Sequence, residues 1–353
     1  MPESPRRRYA LGDISVLYLS VMHRAVNHAG KTMQPLFEQF GITDTLVNAP
    51  EARISIPRFM RLGRAAIGLT GDPNLGLNMG EQTRPIDAGL PGLAAMSAAT
   101  AGQGLETLLT YSLLNSRNSR GHPFYEADDL RACFYSIRPY NVYNYFVVDS
   151  VLAGWTQFLR RMTGQTHVLE QVRIEYPDQG QQPAFEAWFG CPVNFGAPEN
   201  SIQLRPETAA APSAQFQPAM HRALTQQCEA QLKRIRGGWT VVDQVREKLS
   251  PMLEGQPPSL EAVAAELGTA PWTLQRQLNE ENTQFRVLLD ETRRDLASDY
   301  VVETQLNYAE VAWLLGFSGA PAFHKAYRRW FGMSPGDHRK ARSRWKEHGS
   351  SRQ

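Results

Sequence analysis

The chain has 353 residues, 42% hydrophobic, 20% charged and 10% aromatic, with a formal net charge of +2. That composition suits a folded protein of two or three domains. No apolar run approaches the roughly 18 residues of a membrane helix, and the near-neutral balance gives no bulk reason to expect nucleic-acid binding. Cys133, Cys191 and Cys228 are widely spaced and odd in number, which speaks against a disulfide framework or a zinc site and for a reducing cytosol. The three arginines of "MPESPRRRYALGD" are followed by no apolar core, so no export signal is expected and the expected location is the cytoplasm.

The first 120 residues read mainly as helix. "DISVLYLSVMHRAVNHAG" and "RFMRLGRAAIGLTGDPNLGLNMGE" are amphipathic. "LPGLAAMSAATAGQGLETLLTYSLLNS" is rich in Gly and Ala, which suits close helix packing, and it lacks the spacing and lysine of a phosphate loop. From Leu130 the period changes. "LRACFYSI" alternates like a strand, "NVYNYFVVDSVLAGWTQFLRRMTG" reads as a buried helix and "VLEQVRIEY" as a second strand. "QPAFEAWFG" follows as a short helix and "NSIQLRPE" as an edge strand. Helices followed by a small mixed sheet predict an α+β domain over about residues 1–210. Within it Arg117, Arg120, Tyr135, Arg138, Tyr140 and Tyr143 lie close in sequence. Arginines beside tyrosines suit a carboxylate or phosphate ligand with an apolar body, and equally suit surface arginines beside core tyrosines.

"LRPETAAAPSAQFQP" (204–218) has three prolines, four alanines and no helical period, and reads as an interdomain linker. A connecting helix is expected from Pro218 to about Arg234, so residues 211–234 lead to an all-α C-terminal domain over about 235–345. That domain contains a repeat. Leu260, Val263, Ala264 and Leu267 follow i, i+3, i+4, i+7 and end at Gly268; Tyr308, Val311, Ala312 and Leu315 do the same and end at Gly316. Ser259 and Asn307 stand at N-cap positions, Asn307 with Glu310 in a capping-box arrangement, and each glycine permits the left-handed turn that stops its helix. A second helix follows each: one begins near Pro271 with Leu274 and Leu278 as its buried stripe, the other carries Phe323, Tyr327 and Phe331, with Trp330 at its end. Helix, tight turn, helix, twice over, is helix-turn-helix geometry, over about 259–281 and 307–331. Between them, about 284–304 is one continuous helical pattern, with Leu288, Leu289, Leu296 and Tyr300 on one side and "ETRRD" exposed. Its length of roughly 30 Å is close to one DNA turn of about 34 Å, so one chain could place two recognition helices in successive major grooves.

"SLEAVAAELGTAPWTLQRQL", "RRDLA" and "EVAWLLGFSGAPAFHKAYRRWFGMSPGDHR" resemble the DNA-binding domain of the AraC/XylS transcription regulators. "RYALGDISVLYLSVMHRAV", "DPNLGLNMGE", "GLPGLAAMSAATAGQGLETLLTYS" and "FEAWFGCPVNFGAPENSIQL" resemble the arabinose-binding-type N-terminal domain of the subgroup that includes ornithine-utilisation regulators and VirS. The resemblance implies an effector-binding and dimerisation role for the first 210 residues, without implying that arabinose is the ligand. It further implies a homodimer that binds promoter DNA, responds to an unidentified small molecule and recruits RNA polymerase, as an activator by family habit. A constitutive or architectural DNA binder whose N-terminal domain only dimerises is the competing class.

For base reading the first recognition helix offers Trp272, Thr273, Gln275 and Arg276, with Arg suited to guanine, Gln to adenine, and Trp and the Thr methyl to thymine methyls. The second begins with Gly319, Ala320, Pro321 and Ala322, where the family commonly has polar residues. There His324 is the candidate base contact, and Lys325, Arg328 and Arg329 are candidate phosphate contacts. From Gly316 to Gln353 nine Lys/Arg face only Asp337 and Glu347, an excess of seven positive charges; Arg339, Lys340, Arg342 and Arg344 fit either a phosphate track or a solvated tail. Catalysis is not expected: Cys191 has no adjacent His or Arg, no Cys pair exists, and His122, His167 and His221 have no carboxylate or Cys at ligand spacing. No metal and no cofactor besides the effector is expected.

Overall fold

The computed structural model describes residues 11–49, 52–237 and 239–341. The chain divides into two compact units. One consists of Asp13–Asn118 and His122–Gly237; the other contains the C-terminal helices together with Ser119–Gly121 and Leu11–Gly12.

The first unit is the α+β one. Its elements in order are β1 (Gly12–Ser15), α1 (Leu17–His28), α2 (Gln34–Gln39), α3 (Asp44–Val47), β2 (Arg53–Ser55), α4 (Ile56–Thr70), α5 (Leu75–Gln82), α6 (Gly89–Met96), α7 (Ala101–Thr110), β3 (Ser116–Asn118), β4 (Phe124–Glu126), β5 (Arg131–Phe134), α8 (Tyr145–Thr163), β6 (Leu169–Ile174), α9 (Gln182–Phe189), β7 (Val193–Phe195), β8 (Asn200–Leu204), α10 (Pro206–Ala210) and α11 (Pro218–Gly237). A small sheet runs β2-β1-β3 and a larger one β4-β5-β8-β6-β7, antiparallel except where β6 meets β7. Helix α8 is the centre of the core. Its Val148, Leu152 and Leu159 pack with Val172 and Ile174 of β6 and Ile202 and Leu204 of β8, all fully buried. Close packing by small residues is realised on α8: a Cβ on Gly80 would stand 2.2 Å from that of Ala153, and one on Gly104 2.6 Å from the Met162 sulfur. Such contacts are shorter than carbon can tolerate, so glycine lets the helices approach.

"NSIQLRPE" is not an edge strand: β8 lies between β5 and β6, with Asn200, Ser201, Ile202 and Leu204 all buried. Its polar start misled because the buried Asn200 amide works inside the sheet, donating to Phe134 O (3.3 Å) and accepting from Glu175 N (3.0 Å). "LRPETAAAPSAQFQP" is not a free linker either. It forms α10 and then pairs with the start of α7, Ala101 N donating to Ala211 O (3.0 Å) and Ser213 N to Ala99 O (2.9 Å). Ala209 packs against the core of this unit, and α11 beyond it belongs to the same unit.

The second unit is all helical: α12 (Val241–Leu249), α13 (Leu260–Glu266), α14 (Pro271–Glu280), α15 (Phe285–Glu303), α16 (Tyr308–Leu314) and α17 (Ala320–Phe331). Helices α13 and α14 form one bihelical pair and α16 and α17 the other, with the 19-residue α15 between them. Val245, Leu249, Val263, Ala264, Leu274, Leu278 and Leu288 make one buried cluster that holds the first pair to α12 and α15. "ETRRD" of α15 is not an exposed face. Thr292 is 3% exposed and Glu291 pairs with Arg246 of α12. Arg293 donates to Leu315 O (2.7 Å) and Gly316 O (2.6 Å), its guanidinium 4.5 Å from the Phe317 ring. A helix with a bihelical pair on either side has two covered faces, so the polar residues of the second face serve as contacts.

Candidate nucleic-acid interface

The first pair is built as its local sequence dictates. Ser259 Oγ accepts from Ala262 N (3.1 Å) at the start of α13. Gly268, with φ +63°, takes the left-handed conformation that ends it. Pro271 opens α14, where a missing N–H costs nothing. Leu274 and Leu278 point into the core, which leaves the opposite face of α14 outward. There Trp272 is 70% exposed, so it does not pack against a neighbouring helix. The Arg276 guanidinium stands 6.0 Å from the Trp272 ring centre and its Nε 3.8 Å from Glu280 Oε1. Thr273 and Gln275 are half-buried, and Gln275 Nε2 donates to Asn279 Oδ1 (3.1 Å). The outward face thus combines an indole, a hydroxyl, an amide and a guanidinium, with no net formal charge on the helix.

The second pair is electrostatically different. Asn307 Oδ1 accepts from Ala309 N and Glu310 N (3.0 Å each) while Glu310 reaches back to Asn307 N (2.9 Å), a complete capping box. Gly316 (φ +65°) ends α16. Phe323 and Tyr327 of α17 are fully buried, and Phe331, half-buried, stacks on Tyr327 at 4.5 Å. Ala320 and Pro321 open the helix and carry no polar side-chain atoms. Lys325 and Arg328 are exposed, and neither is in an ion pair with another described residue. Arg329 is tied to Asp290 of α15, and that carboxylate also accepts from Trp330 Nε1 (2.9 Å). His324 is half-buried with its ring edge-on to Tyr308 (5.2 Å) and Phe323 (5.9 Å), a packing role beside the base contact expected of it. Arg339 donates to Val301 O (2.9 Å) and Leu306 O (2.7 Å) and lies over Tyr308 at 4.7 Å, so it clamps the end of α15 and is neither tail nor free phosphate contact. Lys340 is exposed; Arg342 and Arg344 fall outside the described residues. The contacts of Asp290, and the carbonyl clamps made by Arg293 and Arg339, leave no local pattern in the sequence, because their partners lie 22 to 40 positions away.

A family model described as the arabinose-binding domain of AraC transcription regulator, N-term, matches residues 30–213, just over half the chain, and a helix-turn-helix domain model matches residues 263–341. The chain belongs to the AraC family of transcription regulators. Among its relatives, the ornithine utilization regulator of Pseudomonas aeruginosa is 29% identical over 93% of this chain and 96% of its own length. The regulator VirS of Mycobacterium tuberculosis is 25% identical over 86% and 90%. The crystal structure of the transcriptional regulator CdpR from Pseudomonas aeruginosa is 23% identical, with a TM-score of 0.42, covering 91% of this chain and 98% of its own. This AraC-family chain is therefore a helix-turn-helix DNA-binding regulator and not an enzyme. Its thiols agree with that. Burial pushes Cys133 up to about 12 and Cys191 and Cys228 up to about 11, the opposite of an activated nucleophile. Among the described residues no His/Cys/Asp/Glu group is arranged to hold a metal, and no helix is long and apolar enough to cross a membrane.

Of the six arginines and tyrosines read as a candidate effector cluster, Arg120 pairs with Glu254 (3.1 Å), while two others meet at one carboxylate. Arg138 and Tyr140 both engage Glu175, with Asn200 Nδ2 donating to Tyr140 Oη (2.7 Å) and Glu175 Oε2 (2.8 Å). Arg117 instead faces Asp13 (3.9 Å), Tyr135 packs on Phe124 (6.0 Å), and Tyr143 is fixed through its backbone N–H to Asn141 Oδ1 (2.9 Å).

Proposed function

We propose that this AraC-family regulator is a cytoplasmic, homodimeric activator that responds to a small molecule and recruits RNA polymerase at promoters carrying two half-sites per protomer. The observation that carries the reading is the pairing of two unlike helix-turn-helix units on one 19-residue helix. Helix α14, with no net charge and an exposed Trp272 and Arg276, suits base reading; α17, with Lys325 and Arg328 exposed, suits phosphate anchoring. A match to a ligand-binding domain model over residues 30–213 supports the effector role of the first unit.

The test is reconstituted transcription from an operator selected out of a random DNA pool by the full-length protein. Increased transcript on adding a metabolite fraction, with sedimentation giving two protomers per operator, supports the proposal. Unchanged transcription with and without every fraction, at undiminished DNA affinity, supports the constitutive binder instead.

A further inference from the structure

Resting on the reading of the first unit as an effector domain, we propose that its effector site is a pocket of about 310 Å³ between α7, β4 and the last turn of α11, and that it takes a small zwitterion with an apolar body, of the α-amino-acid class. Its lining includes Glu106, Leu109, Leu113, His122, Phe124 and Arg236, with three further hydroxyl side chains among the rest. Neither Glu106 nor Arg236 forms an ion pair with another described residue. They place an anion and a cation on one cavity whose remaining surface includes two leucines, a proline and a phenyl ring. A carboxylate matches a guanidinium, and an ammonium matches a carboxylate, each as a charge-assisted hydrogen bond. The apolar residues suit a hydrocarbon or aromatic side chain. At roughly 30 Å³ per displaced water the cavity exchanges about ten waters, which is room for a single amino acid and little more.

The location gives the pocket a regulatory use. His122 is the residue at which the chain re-enters this unit after Gly121, and Arg236 is next to Gly237, where the chain leaves it. Two crossings toward the DNA-binding helices therefore start at the pocket wall. Helix α11 is anchored as far as Leu232: His221 Nδ1 lies 2.9 Å from Ala94 O, and Cys228 and Leu232 are buried. Beyond Leu232, Lys233, Arg234 and Arg236 are exposed. An occupant joining Arg236 to Glu106 of α7 ties down that last turn, and with it the segment that enters the DNA-binding unit.

The experiment uses the full chain with L-leucine, L-phenylalanine and L-tryptophan as probes, read by calorimetry and by hydrogen exchange over residues 230–237. The expected result is saturable binding of at least one, slowed exchange in the last turn of α11, and binding at least tenfold weaker for the matching amino-acid amide and N-acetyl derivative. E106Q and R236Q are each expected to weaken binding at least tenfold while retaining the wild-type circular dichroism spectrum and basal DNA affinity. If none of the three amino acids binds, the site is overturned. If another metabolite binds and both variants bind it as well as the wild type does, this site is overturned while the effector reading stands. If no metabolite at all binds, both fall.

Discussion

Replacing Lys325 and Arg328 together by alanine is expected to lower the salt sensitivity of DNA binding without changing which sequence is bound. Both side chains are exposed on α17 and neither is in an ion pair with a described residue, whereas Arg329 already faces Asp290. Each phosphate neutralised contributes about 0.9 to the slope of log affinity against log salt, so the double variant should lose about 1.8 units of slope. Between 50 and 200 mM NaCl, a fourfold change, the variant's affinity should then fall roughly twelvefold less than the wild type's. Fluorescence anisotropy on a labelled operator across that range, with a scrambled duplex in parallel, measures both quantities. The weakening should be similar on the two duplexes. An unchanged slope, or a loss confined to particular base pairs, would refute the assignment of α17 to phosphate anchoring.

Further expectations follow from other contacts. Arg276→Ala should cost roughly 1–3 kcal/mol on the operator and relax preference at one position only, checked by a panel of single-base-pair variants. Arg293→Ala removes two bonds to the carbonyls that end α16 and a stacked cation, together worth about 2–4 kcal/mol. Hydrogen exchange should quicken over residues 312–323 and stay unchanged in α13 and α14. Asp149, fully buried with Tyr176 donating to it, has its carboxyl pushed up to about 8 by burial, against the pull of that hydrogen bond. The folded chain therefore keeps a proton that the unfolded chain releases above about pH 4, so stability should fall as pH rises from about 4 to 8, by on the order of several kcal/mol. Asp149→Asn should flatten that fall in melting temperature; an equally steep fall in the variant would count against it.

The C-terminal unit was legible because its logic is local. Caps at Ser259 and Asn307, stops at Gly268 and Gly316 and apolar stripes at helical spacing lie within a few residues of one another, and the structure shows each in place. Less visible was whatever joins distant parts. Strands β1 to β4 and β7 have three or four residues each, too few for alternation to register, and β1 to β3 put sheet into a region that otherwise reads as helix. The polar β8 looked like an edge because its Asn200 is satisfied by Phe134 and Glu175, far off in sequence. Nearness in sequence misled equally: Arg138 and Tyr140 meet at Glu175 while Arg117 faces Asp13. Conversely, Glu106 and Arg236, 130 positions apart, line one pocket.

The most direct test of the twin-reader account is a hydroxyl-radical footprint of the full-length protein on its selected operator, one protomer's contacts isolated on a half-operator. The account predicts two protected segments on one face of the duplex, centred one helical turn, about 10–10.5 base pairs, apart, the first lost with Arg276→Ala and the second weakened with Lys325→Ala. A single protected segment per protomer, or two on opposite faces, would contradict it.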